Sequence, residues 1–174
     1  MRSLAAIIAI TASAAVSVSD GNDVRGRLDL KSVEAAGRAT FIQVTITTWD
    51  GWRPRLLAGK PNRPGRNRLT VLYDVNGDKR ADFRGRVIYA GGRLSLWLSG
   101  RGSQFDAVGV HRPNRRTVTF THPVDVLLKA RAAHDIFVAV TSKTCRTSCS
   151  DRAPNGRRWL TVPVGAAPPP PPPA

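Results

Sequence analysis

Apolar and polar residues alternate with period two along much of this chain, and that alternation constrains its fold more than any other feature. Ile42, Val44 and Ile46 alternate with Gln43, Thr45 and Thr47. Leu69, Val71 and Tyr73 form a second apolar face and Phe83 to Ala90 a third. Leu94, Leu96 and Leu98 form a fourth, opposite Ser95, Trp97 and Ser99. Successive strand residues point to opposite faces, so this spacing is that of strands with one face in a core and one in water. Leu28 and Leu30, set among Arg27, Asp29 and Lys31, read as an earlier strand; Ala107 to Val110, Thr117 to Thr121, Ile136 to Thr141 and Trp159 to Val162 read as later ones. Ala90-Gly91-Gly92-Arg93 supplies the positive-φ residues of a tight hairpin, and His111 to Arg116, stiffened by Pro113, marks another turn. About nine short strands predict an all-β fold, an antiparallel β-sandwich of immunoglobulin-like or jelly-roll type, with a closed barrel as the alternative. Helical spacing occurs only at Val124, Leu127 and Leu128, within Val124 to Ala133. The basic residues are 22 Arg and 5 Lys, with Glu34 the single Glu and 15 Gly, a composition poor in helix formers.

A chain of 174 residues holds one domain with short appendages, which excludes a two-domain enzyme. Its formal net charge is +15, yet 41% of its residues are hydrophobic, enough for a core and too many for a disordered basic tail. Met1-Arg2, an apolar run to Ile10 and small residues through Ala15 have the pattern of a secretory signal, cleaved after Ala14. The run is shorter than a bilayer span, so no membrane span is expected in the mature form. The expected organisation is a signal peptide at 1–14, a β-sandwich at 20–164 and a proline-rich tail at 165–174 with six consecutive prolines. Export to the extracellular space or the cell wall follows. In that compartment Cys145 and Cys149 read as a disulfide that rigidifies one turn. A zinc site competes, but no His or further Cys lies nearby to complete its shell. Gly59 to Arg68, with two prolines and four cations, reads as an exposed loop.

The densest chemistry lies in Tyr73-Asp74-Val75-Asn76-Gly77-Asp78-Lys79-Arg80-Ala81-Asp82-Phe83. Asp74, Asn76, Asp78 and Asp82 place oxygens at loop positions 1, 3, 5 and 9, spacing that suits a hard cation, and calcium is the candidate cofactor. These residues resemble the calcium loops of FG-GAP repeats and the first part of a dockerin or EF-hand loop. The departures are Lys79 where an EF-hand has its turn glycine and Gly85 where it has its last acid. The competing reading is a plain polar hairpin in which the Asp and Asn side chains cap backbone amides.

Asp20-Gly-Asn-Asp23-Val-Arg-Gly-Arg-Leu28-Asp29-Leu30, followed by a sandwich with an acidic loop on its middle hairpin, resembles secreted bacterial β-sandwich domains of the DOMON and family-9 carbohydrate-binding type. The stretch from Cys145 to Pro154 resembles the ending of exported actinobacterial proteins of this sort. The resemblance implies a non-catalytic role in binding a ligand or a surface, and it transfers no site residue.

Trp49 and Trp52 flank a tight turn, where indoles either stack on sugar rings as ligand-binding residues or cover the rim of the core. Trp97 and Trp159 read as packing residues. The arginines form no run, but alternate strand positions share a face, so Arg53/Arg55 and Arg84/Arg86 align into basic surface suited to phosphates or anionic envelope polymers. No nucleic-acid motif is present, and specific nucleic-acid recognition is not expected. His111, His122 and His134 are isolated, no nucleophile or metal-protease motif occurs, and Asp29 with Asp50 is an arbitrary carboxylate pair, so an enzyme is not expected. The leading reading is an exported, non-catalytic binding or structural module of the cell envelope, carbohydrate-binding and calcium-stabilised. A polyanion-binding protein with an Arg-rich surface is the alternative, and a hydrolase the third.

Overall fold

The computed structural model describes residues 15–37, 40–60, 63, 65–100, 103–107, 110–128, 135–144 and 149–164, with the backbone alone for 103–107. The expected signal segment, the proline-rich tail and Cys145 lie outside the described residues. Among the described residues twelve strands are formed: β1 (Ala15–Ser19), β2 (Leu30–Gly37), β3 (Phe41–Thr48), β4 (Arg68–Asp74), β5 (Phe83–Ala90), β6 (Arg93–Gly100), β7 (Ser103–Ala107), β8 (Val110–His111), β9 (Thr117–Pro123), β10 (Ile136–Lys143), β11 (Ser150–Ala153) and β12 (Leu160–Val162). One sheet has the order β1-β2-β3-β9-β8. The other has the order β11-β10-β4-β5-β6-β7, and β12 also pairs with β10. Every pairing between strands is antiparallel, and the two sheets pack together as the expected all-β sandwich.

The alternation read from the sequence decides which face is buried. Ile42, Val44 and Ile46 of β3 and Val118 and Phe120 of β9 meet Leu69, Val71 and Tyr73 of β4 and Leu96 and Leu98 of β6 in one core. Large apolar side chains removed from water in this way supply the main driving force of folding, about 25 cal/mol per Å². A polar contact joins the sheets in the middle of that core. His122 of β9 and Tyr73 of β4 are 1% and 0% exposed, with His122 Nε2 2.8 Å from the Tyr73 hydroxyl.

Three details differ from expectation. Leu28 and Asp29 are buried but precede the strand, which begins at Leu30, runs to Gly37 and carries a bulge between Leu30 and Ser32. β1 and β11 were not foreseen. The single strand expected at Ala107 to Val110 is instead the end of β7 and the start of β8. The expected helical spacing yields one short turn, α1 (Asp125–Leu128), seated through Val124 and Leu127, and a 3₁₀ turn (Pro54–Leu57) precedes the expected basic loop. The β5–β6 hairpin closes as expected on Gly91 and Gly92, with φ of 56° and 81°.

Candidate functional site

The outward faces of the two sheets differ in chemistry. On the β3–β9 pair the face is uncharged: Thr45 lies opposite Thr119 and Thr47 opposite Thr117, with hydroxyl contacts of 3.1 and 3.3 Å. On the other sheet, cross-strand register sets Arg152 of β11 beside Thr141 of β10, Thr141 beside Thr70 of β4, Thr70 beside Arg86 of β5, and Arg86 beside Trp97 of β6. One step along, Lys143 pairs with Arg68, and Leu72 pairs with Arg84. Arg68, Arg84, Arg86, Lys143 and Arg152 thereby border one open cleft of about 580 Å³, lined also by Thr70, Thr141 and Leu72 and, at its β11 end, by Asp23 and Asp151. Arg152 is the most structured of the five. Its guanidinium lies 5.0 Å from the Trp159 ring, its Nη2 donates to the Arg158 carbonyl at 3.2 Å, and burial pulls its pKa down. Of the two arginine pairs expected to align, Arg84 and Arg86 do so here, joined by cations from three further strands.

Arg53 belongs elsewhere, to a pocket of about 560 Å³ bordered also by Arg27, Arg112 and Arg115 at the Trp49–Trp52 turn. Trp52 is 2% exposed, and its ring is covered by the Arg112 guanidinium at 4.6 Å. Arg112 Nη2 also donates to the carbonyls of Trp52 and, at 2.8 Å, of Arg115. Burial and the neighbouring Arg115 lower the Arg112 pKa. Trp49 is half-buried beneath Lys31 Nζ at 5.0 Å. The expected sugar platform is therefore corrected at Trp52: the indole fills the core rim, and a cation occupies its outer face.

The Asp74–Asp82 turn is built by its own amides. Asp74 Oδ1 accepts from the amides of Asn76 (3.0 Å) and Gly77 (2.7 Å), and Asp74 Oδ2 accepts from Lys79 (2.8 Å). Asp82 Oδ2 accepts from Val75, Asn76 Oδ1 from Asp78, and Asp78 Oδ1 from Arg80, all at 2.8 to 2.9 Å. Asn76 turns its amide nitrogen toward Asp78 Oδ2 and Asp82 Oδ1, at 3.4 and 3.5 Å. The four predicted residues do share one turn, in which most of their oxygens already accept hydrogen bonds, as in an Asx-turn hairpin.

A different set of acids was missed by the sequence reading. Asp20 and Asp23, from the β1–β2 loop, and Asp151, the second residue of β11, each place a carboxylate oxygen within 4.8 Å of the others. Asp29 is buried beside them. Burial pushes the pKa of Asp151 well up against the pull of two amide donors, and burial likewise raises that of Asp29. Gly26 fixes the path of this loop. It has φ of 143°, and a Cβ there would stand 2.2 Å from Thr144 Oγ1. The only sequence signal for the cluster was the acid-rich stretch from Asp20 to Asp29, which gave no hint of Asp151.

Among the described residues, His111 and His122 lie apart. His111 is exposed on β8, His134 lies outside the described residues, and His122 contacts Tyr73 and its neighbour's carbonyl. Asp29 is buried and Asp50 exposed. Cys149 is not a free thiol, and its carbonyl accepts from the Thr144 amide at 3.1 Å; its expected partner Cys145 is outside the described residues. No described helix is long and apolar enough to cross a membrane. Compared with known proteins, the chain matches no family model, no curated protein and no solved structure.

Proposed function

We propose that this chain is an exported, non-catalytic binding module whose ligand is an anionic polymer of the cell envelope, held on the outward face of the β11-β10-β4-β5 strands. The observation that carries this reading is the convergence of Arg68, Arg84, Arg86, Lys143 and Arg152 from four adjacent strands on one open cleft. Neighbouring strands lie about 4.8 Å apart and alternate residues about 6.8 Å apart, so these cations form a grid on the scale of the charge spacing along a polyanion. Rigid strands spare the backbone any further ordering, so binding orders side chains alone, which favours it over a basic tail of equal charge. The neutral-sugar reading is weaker, because Trp52 is buried beneath Arg112. Calcium enters this reading as a stabilising ion. The N-terminal pattern of a basic residue, an apolar run and small residues supports export.

The test uses heparin as a sulfated probe, with affinity measured across salt concentrations. Arg68→Ser/Arg84→Ser should weaken binding about tenfold or more and reduce the log–log salt slope by roughly 2, since each phosphate- or sulfate-pairing cation contributes close to one unit. Arg55→Ser/Arg93→Ser removes the same net charge from exposed positions away from the cleft and should change the affinity less than threefold. Equal losses in the two double variants would reduce the interaction to bulk charge and overturn the assigned surface.

A further inference from the structure

Where the edges of the two sheets meet, the chain gathers four carboxyl groups. Three hydrogen bonds place two of them, Asp20 and Asp151. The Asp20 amide donates to the Lys31 carbonyl at 2.8 Å, the Leu30 amide donates to Asp151 Oδ2 at 2.6 Å, and Asn155 Nδ2 donates to Asp20 Oδ1 at 2.6 Å. Asp20, Asp23 and Asp151 thus bring oxygens within 4.8 Å of one another. Asp29 is an independent sign that something more belongs here. It is 2% exposed and neither of its oxygens has a hydrogen-bond partner. Asp151 and the Val24 amide lie near enough to influence it without reaching hydrogen-bond geometry, and the charges acting on it are the carboxyls of Asp23 and Asp20. Asp20 Oδ2 is also buried without a partner. A buried carboxyl oxygen with no donor is costly, and several facing one another are costlier, unless a cation is shared among them.

We propose that Asp20, Asp23 and Asp151, backed by the buried Asp29, bind one calcium ion that ties the β1–β2 loop to β11 across the edge of the sandwich. The donors are all oxygens, with no His or Cys among them, which selects a hard cation over zinc. Magnesium demands regular octahedral geometry and gives up its waters reluctantly. Calcium accepts six to eight oxygens in irregular arrangements, as carboxylates from two distant segments supply. Asp20, Asp29 and Asp151 form the buried wall, and exposed Asp23 stands at the open side through which the ion reaches them. The site borders the cationic cleft, which Asp23 and Asp151 also line, but it rests on separate observations; the calcium titration contains no polymer, so either reading can fail without the other.

The experiment is calorimetric titration of the metal-stripped full chain with calcium and, separately, magnesium, with melting temperature followed in parallel. The wild type should bind calcium at this site and, at a hundredfold excess over Kd, melt about 5 °C or more higher. Asp23→Asn should weaken binding at least tenfold; because Asp23 is exposed, this variant keeps the fold even where Asp29→Asn does not. Asp78→Asn, in the Asp74–Asp82 turn, should bind as the wild type does. The proposal is overturned by an unchanged midpoint with no heat at millimolar calcium, by magnesium matching calcium, or by a response that survives Asp23→Asn and vanishes in Asp78→Asn.

Discussion

His122 carries a definite proton arrangement. Its Nδ1 lies 3.1 Å from the Pro123 carbonyl, which can only accept, so Nδ1 bears the hydrogen. Nε2 is then an acceptor, and the Tyr73 hydroxyl donates to it across the core at 2.8 Å, the rings meeting edge to face at 87°. Burial holds the His122 pKa down to about 4, against the raising effect of the Pro123 carbonyl. A pKa lowered on folding contributes stability that is complete above the unfolded value of about 6.5 and is lost as pH falls toward the folded value. Stability to urea should therefore drop by about 3 kcal/mol between pH 7 and pH 4 on this account, in addition to any carboxylate effect. His122→Phe should flatten that part of the profile, and an unchanged slope in this variant would contradict the assignment. The inward direction of residue 122 was legible, because Val118, Phe120 and residue 122 continue one alternation. Its burial as a neutral base was not, since that depends on a tyrosine 49 residues away.

At the level of elements, the strands with strong apolar alternation were read correctly and those without it were missed. In β11, Ser-Asp-Arg-Ala, the inward positions are Asp151 and Ala153, and what buries Asp151 is the Leu30 amide, 121 residues distant. No local pattern encodes such a contact. β1 has only Val16 and Val18 among small polar residues and is held by its ladder to β2. The β4–β5 turn was legible in greater detail. Lys79, expected to carry a steric cost in place of a turn glycine, has φ of 63°. The left-handed conformation costs a side-chain-bearing residue about 1–2 kcal/mol, partly offset by the greater unfolded-state freedom of glycine. Lys79→Gly should consequently raise stability by up to about 1 kcal/mol in urea denaturation. A lower midpoint would show that the lysine side chain contributes more than its backbone conformation costs.

For the whole molecule, the charge of +15 gains meaning only once the strands are aligned. Arg68, Arg84, Arg86, Lys143 and Arg152 are dispersed over 85 positions of sequence, and register across β11, β10, β4 and β5 assembles them. The Arg84/Arg86 pair was legible from period two. Their neighbours were not, because strand order is a tertiary property. For the same reason the sequence pointed to the Asp74–Asp82 turn, where four oxygen-bearing residues are local, and passed over Asp20, Asp23 and Asp151, which converge from both ends of the domain. The proposed anionic polymer would lie on this one face. Chemical-shift mapping of the isotopically labelled chain, titrated with a short sulfated oligosaccharide, tests it most directly. The largest shifts should fall at residues 68–72, 84–86, 141–143 and 150–152, with little change at the threonine face of β3 and β9. Shifts centred on Arg53, Arg112 and Arg115, or spread evenly over every exposed arginine, would contradict it.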